Sequence, residues 1–386
     1  MISLIKNTFY NEEETKEKLC DFIMNSQKLS MGAKCKEFEE KFSEYQGRKY
    51  SVLYNSGSSA NLALIQALLN LGVLKKGDNV GFSALTWATN VMPLVQLGLN
   101  PIPIDVSLKN LNINSEELLS FDKDTNYSLK ALFITNLLGF SGDLDKIKKI
   151  CDERRIILIE DNCESFGSKL NNTKLGNFGL GSTFSFYVGH HISTIEGGMV
   201  CTDNKELYEM LLMVRAHGWN RNLDEEKKSE LRKKYGIKDS FYDSFTFYTS
   251  GYNLRPTEIT GFLGIEQMKY AIEICNKRNK NFLKYKEATS QNKDLQQLDL
   301  SHMNFVSNFS YPLIFEDKET MNKYIQKFSE VEIRPIESNI IEQPFFDNKK
   351  HLCPNAKKIF ELGFFLPNNP DLTDEELKKL FDLLKN

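Results

Sequence analysis

Thr183-Phe184-Ser185-Phe186-Tyr187-Val188-Gly189-His190-His191-Ile192-Ser193-Thr194-Ile195-Glu196-Gly197-Gly198 is the stretch from which the rest of the chain can be read. Thr183 to Val188 is apolar and β-branched enough for a short buried strand, and Gly189 lets the backbone turn after it. Two histidines follow the turn. Glu196 and the two glycines then open another strand, ending near Thr202. Imidazole titrates near neutral pH, so His190 is a candidate for proton transfer. A His-His pair can also mark a metal. One adjacent pair, however, supplies neither a tetrahedral ligand set nor the usual spacing, so no metal is expected.

Working outward, the strand-to-turn pattern repeats. Tyr50 to Tyr54 reads as a strand, and Asn55-Ser56-Gly57-Ser58-Ser59-Ala60-Asn61 opens a helix running to about Leu71. Strand, glycine turn and helix N-terminus together make an anion site, because free backbone N–H groups and the helix dipole point at the ligand. A bare N-cap would give the same serines. Asn79–Ala84 is a further strand, followed by Trp87 and a helical entry. Short strands recur near Pro101–Val106, Ala131–Thr135 and Ile156–Glu160, with helical segments near 115–120 and 143–154. The alternation predicts an α/β fold with a mostly parallel central sheet covered on both faces, and ligands beyond the carboxyl ends of its strands. One strand runs straight into Glu160-Asp161-Asn162-Cys163-Glu164. A carboxylate there is either solvated in a turn or paired with a cation, since burying it alone is costly.

These segments, taken together, resemble the DegT/DnrJ/EryC1/StrS sugar aminotransferases, pyridoxal-phosphate enzymes of aspartate aminotransferase-like fold. The family pattern is Ser-Phe…Lys-Asn…Glu-Gly-Gly, with its lysine six residues before the glutamate. His190 stands at that position here, and His191 at the asparagine. Imidazole has no primary amine and cannot hold the aldehyde cofactor covalently. Within the family this exchange resembles the sugar 3-dehydratase branch, which uses pyridoxamine 5'-phosphate and removes a hydroxyl instead of delivering an amine.

The resemblance implies further roles. Gly57 and Ser58, with Ser59 adjacent, and Ser185 would hold the cofactor phosphate, and Trp87 would stack on the pyridine ring. By composition alone Trp87 would read as core packing. Asp161 would pair with the ring nitrogen and Glu164 would orient the ring substituents. His217 and Arg221 would face a nucleotide-sugar, Arg221 being suited to a diphosphate. Asn253, in Gly251-Tyr252-Asn253-Leu254-Arg255, would reach the cofactor of the neighbouring subunit, implying a homodimer with shared active sites. The implied reaction removes the C3 hydroxyl of a nucleotide-linked 4-keto-6-deoxyhexose, GDP-4-keto-6-deoxy-D-mannose being the expected substrate, and L-glutamate restores the amine form of the cofactor. A dehydratase of another nucleotide-linked 4-keto sugar, such as a heptose or CDP-hexose, a sugar aminotransferase using another lysine, Lys169 or Lys174, and a non-catalytic ligand-binding paralogue stay open beside it.

The remaining features set bounds. The chain has 386 residues, 26% charged and 41% hydrophobic, with a formal net charge of −3. That balance gives no reason to expect nucleic acid or anionic membrane as a partner. No apolar run approaches the roughly 20 residues a membrane helix needs. The start of the chain does not read as a signal peptide, so a cytoplasmic protein is expected. Seven cysteines form no Cys-x-x-Cys pair. This disfavours zinc, a disulfide framework and the cysteine-bound [2Fe–2S] cluster of a related CDP-sugar dehydratase. Three parts are expected: a helical segment at 1–48, a large cofactor-binding domain at 49–275, and a smaller α/β domain at 276–386. Phe241–Thr249 reads as a hairpin, and Thr373-Asp374-Glu375-Glu376 has capping-box form.

Overall fold

The computed structural model describes residues 1–124, 127–346 and 353–385. Seven strands make the central sheet: β1 Tyr50–Tyr54, β2 Asn79–Ser83, β3 Asn100–Ile104, β4 Ala131–Thr135, β5 Ile157–Asp161, β6 Gly181–Ser185 and β7 Gly198–Thr202. Their spatial order is β1-β7-β6-β5-β4-β2-β3. Strands β3, β2, β4, β5 and β6 pair in parallel, whereas β7 runs antiparallel to both β6 and β1. The reversal follows from the connection: only the His190 loop joins β6 to β7, too short for a crossover helix. All five residues of β4 and of β7 are buried, as expected where layers cover both faces.

Alternation along a strand separates two adjacent carboxylates at the end of β5. Side chains of neighbouring strand residues point to opposite faces. Glu160 turns inward and accepts the backbone N–H groups of Gly176, Phe178 and Gly179, each at 2.8 Å. Asp161 points the other way, toward the site. Three backbone donors satisfy Glu160, so its burial is structural.

Two helices precede the sheet, α1 Glu12–Asn25 and α2 Ala33–Gln46, and Gly47 ends α2 in a left-handed C-cap at φ +83°. After β1 comes α3, Gly57–Asn70, whose N-cap Ser56 accepts the Ser59 N–H. A long helix, α4 Ala271–Thr289, leads to a second sheet of β8 Ser310–Ile314, β9 Arg334–Pro335 and β10 Gly363–Pro367, with β10 between the other two. The last helix, Asp374–Leu384, carries the reciprocal Thr373–Glu376 capping box. One apolar core runs from Ile102 and Ile104 of β3 to Leu366 of β10 and Leu380 of the last helix, so both sheets share packing.

Two connections bring distant chain to the central sheet. Ile2 pairs with Val331, and Ser338–Asn339 pairs antiparallel with Leu85–Thr86 just beyond β2. The second contact carries residues 334–338 over the carboxyl ends of the parallel strands. The segment read as a hairpin, Phe241–Thr249, is instead a short helix at Ser240–Asp243 followed by irregular chain. Its alternating aromatics have no strand to pair with, and Phe241, Phe245 and Phe247 are exposed. No described helix is long and apolar enough to cross a membrane.

Candidate active site

A cavity of about 560 Å³ opens beyond the carboxyl ends of β4, β5 and β6. Gly57, Ser58, Trp87, Asp161, Glu164, Ser185 and His190 all line it, contributed by four separate segments. Gly57 sits at the start of α3, where the first backbone N–H groups have no intrahelical acceptor. A Cβ at Gly57 would lie 2.6 Å from the Ser185 Cβ, so only glycine permits this approach of helix to strand. Beside it, Trp87 is 61% exposed and offers an open indole face.

Asp161 is 4% exposed. Its Oδ2 accepts the side-chain amides of Asn61 and Asn90, each at 2.8 Å, and its Oδ1 accepts the Cys163 N–H at 2.9 Å. These bonds fix the carboxylate but leave its charge without a cationic partner among the described residues. A protonated pyridine nitrogen supplies that partner. Neither orienting amide belongs to a motif that gives it a role. Their signal, an asparagine on each helical entry, becomes visible only when three loops converge.

His190 follows Gly189, and its ring packs edge-on against Tyr187 and Phe309. Its Nδ1 is buried without a hydrogen-bond partner. Burial, aided by the positive Arg278, lowers the imidazole to about 4, so the ring is neutral at pH 7 and able to accept a proton. His191 points elsewhere: it is buried, with Nε2 2.8 Å from the Ser307 carbonyl oxygen. Arg278, on α4, donates from one nitrogen to the carbonyls of Phe309 and Asn368 at 2.7 and 2.8 Å. Sequence reading missed Arg278, Arg334 and Glu337, which also line the cavity. None belongs to a strand-end motif, so no local pattern announces them.

Four expected residues do not line the cavity. Ser59 is taken up by the N-cap, its N–H and hydroxyl both engaged with the Ser56 Oγ. His217, Arg221 and Asn253 stand together on another face. Ala216 bridges to Asn253, and the His217 N–H donates to the Tyr252 carbonyl at 2.7 Å. Arg221 stacks 3.8 Å above the Trp219 ring and donates to the Ser244 carbonyl. Lys169 and Lys174 lie in a small hairpin and line a separate groove, and no lysine is among the described residues of the cavity. No cluster of metal-ligating side chains occurs among the described residues, and all seven cysteines are free thiols.

The family model for DegT/DnrJ/EryC1/StrS aminotransferases matches residues 10–385. The chain belongs to the DegT/DnrJ/EryC1/StrS aminotransferase family. A GDP-4-keto-6-deoxy-D-mannose 3-dehydratase from Yersinia pseudotuberculosis is 39% identical over 381 residues, covering 94% of this chain and 93% of the relative. A crystal structure of a mutant GDP-4-keto-6-deoxymannose-3-dehydratase with bound GDP-perosamine superposes with a TM-score of 0.88 at 34% identity, covering 100% of both chains. A second structure of that dehydratase, with a trapped PLP–glutamate geminal diamine, gives 0.87 at 32% identity, again over 100% of both. The family's fold is that of pyridoxal-phosphate enzymes, and the architecture described above is the aspartate aminotransferase-like one expected from it.

The residues of this family member fit pyridoxal or pyridoxamine 5'-phosphate. A fixed, uncompensated carboxylate, a helix N-terminus narrowed by a required glycine, and an open indole match its ring nitrogen, phosphate and ring face.

Proposed function

We propose that the chain is a nucleotide-sugar 3-dehydratase dependent on pyridoxamine/pyridoxal 5'-phosphate. It removes the C3 hydroxyl of GDP-4-keto-6-deoxy-D-mannose to give a 4-keto-3,6-dideoxy sugar, and L-glutamate regenerates the amine cofactor. One observation carries the reading: the family's lysine position holds His190, and that imidazole lines the cavity with no lysine among the described residues there.

When bound, the cofactor supplies an electron sink conjugated with the carbon that loses its proton. The chain's residues do the rest. Asp161, held by Asn61 and Asn90, keeps the pyridine nitrogen protonated. Gly57, Ser58 and Ser185 hold the phosphate, and Trp87 covers the ring. Neutral His190 takes a proton at Nδ1 or Nε2 and returns it to the departing C3 oxygen, so one imidazole serves both transfers. Without an amine at this position the chain would have no group to tether the cofactor covalently, and the nitrogen that the cofactor would supply could be released as ammonia.

His217, Arg221 and Asn253 share a face outside their own cavity, which supports a homodimer in which each chain lends them to its partner's site. The three-part division at residues 48 and 275 and a cytoplasmic location belong to the same reading. Incubating the protein with pyridoxal phosphate, glutamate and GDP-4-keto-6-deoxy-D-mannose tests it. Ammonia and a product one oxygen lighter are expected by mass spectrometry. A 4-amino sugar instead would make the chain an aminotransferase, despite His190.

A further inference from the structure

Glu164 and Glu337 reach the cavity from sequence positions far apart. Glu164 lies three residues beyond Asp161, and its Oε2 accepts the Leu138 N–H at 2.8 Å. Glu337 sits between β9 and the Ser338–Asn339 bridge at φ +42°, a conformation uncommon for any residue but glycine. Strain of this kind, of order 1–3 kcal/mol, persists where surrounding structure imposes it, often at functional sites. The Glu337 Oε2 is buried and meets no donor group in the described chain, and both carboxyls line the same cavity, near enough to act on each other's ionisation.

Among the described residues no cation offsets this pair. Arg278 donates to backbone carbonyls, and Arg334, the other arginine lining the cavity, pairs with Glu332 at 2.6 Å. Neutral His190 adds no charge, and Asp161 adds a further negative one. Burial first, then the neighbouring carboxylate, raises Glu164 well above the ordinary carboxylate range, and burial raises Glu337 as well. Two such groups in contact cannot both ionise cheaply and titrate as one unit.

We propose that Glu164 and Glu337 hold one proton between them and present it to the cavity as a neutral hydrogen-bond donor for an oxygen of the bound ligand. The acceptor is either the phenolic oxygen of the cofactor or a hydroxyl of the sugar. Two carboxylates would repel a deprotonated phenolic oxygen and would offer no donor to the lone pairs of a hydroxyl. The assignment rests on the proposed function for the nature of the ligands, but not on the dehydration step itself. It makes Glu337, which no motif marked, a positioning group that the second sheet brings to the first.

The test uses the full chain and two titrations between about pH 6 and pH 9. One measures pyridoxamine phosphate binding alone. The other measures GDP-mannose, a nucleotide sugar without the reactive ketone, binding to the cofactor-loaded protein. Above the pair's ionisation, wild-type affinity should fall by up to about tenfold per pH unit for one linked proton. Glu337→Gln, whose amide donates at every pH, should lack that fall. The arm in which the two proteins diverge names the oxygen. Parallel curves in both arms overturn the proposal. Should Glu337→Gln fail to fold, judged by circular dichroism, Glu164→Gln carries the same comparison. Divergence without ammonia release would sink the proposed reaction and leave the pair; parallel curves beside intact ammonia release would do the opposite.

Discussion

Two groups of residues that the family pattern joins are held apart in this molecule. The wall around His190 is self-contained: Gly57, Asp161, Ser185 and the imidazole come from neighbouring strand ends and meet in one cavity. The rim around His217, Arg221 and Asn253 faces outward, with Phe241, Phe245 and Phe247 exposed beside it. The first group can bind and do proton chemistry within one chain. The second has polar side chains that do not line the His190 cavity, so under the proposed function its use requires another surface. Motif adjacency therefore implies a shared function without implying a shared chain.

The largest effect expected tests the wall. Replacing His190 by Asn should lower product formation by roughly 10²–10⁴-fold, the usual worth of a positioned acid–base group, while cofactor binding persists. Undiminished turnover in a product-release assay would remove the imidazole from the reaction. Next, Asp161→Asn should weaken cofactor binding by roughly 10–100-fold, the worth of a charge-assisted hydrogen bond. Equilibrium dialysis would measure it, and unchanged affinity would mean that Asp161 does not meet the ring nitrogen.

The rim is tested by mixing. His190→Asn and Asn253→Ala chains are each expected to be inactive alone. Exchanged together, they should recover roughly a quarter of wild-type activity, because a mixed dimer assembles one site with both residues intact. No recovery would confine each site to its own chain and erase the contrast. The smallest effect concerns electrostatics. In a histidine NMR titration of the cofactor-free protein, His190 should gain its proton with a midpoint of about 4. Arg278→Met, which removes a neighbouring positive charge, should move that midpoint upward. Above the midpoint the ring is a competent base, so activity should fall only on the acid side. A midpoint near the ordinary histidine value in both proteins would show that the ring is not desolvated.

Local chemistry explains what could be read early. The parallel strands were visible as short apolar runs ending in polar or glycine turns, and β4 at Ala131–Thr135 has the bounds its sequence suggests. Asp161 and Ser185 end their strands, Gly57 begins α3, and His190 lies in the loop just past β6. A strand that ends, or a helix that begins, fixes the direction of its next side chain over a few residues. The aromatic run at 241–249 misled because alternation without a pairing partner cannot make a strand. Phe241, Tyr242, Phe245 and Phe247 are exposed where a hairpin would have half-buried them, and Tyr248 alone of its aromatics is buried.

By itself, then, the sequence determined the strand ends that line the cavity and the absence of an amine at the family's lysine position, both consequences of short-range backbone geometry and of one side chain's chemistry. Only the tertiary structure decided that Asn61 and Asn90 meet on Asp161, that Glu337 arrives opposite Glu164, and that Asn253 stays outside its own cavity. Those contacts join positions from 71 to 173 residues apart. Such distances are closed by packing of the apolar core that the two sheets share, and no local pattern records where that packing brings a side chain to rest.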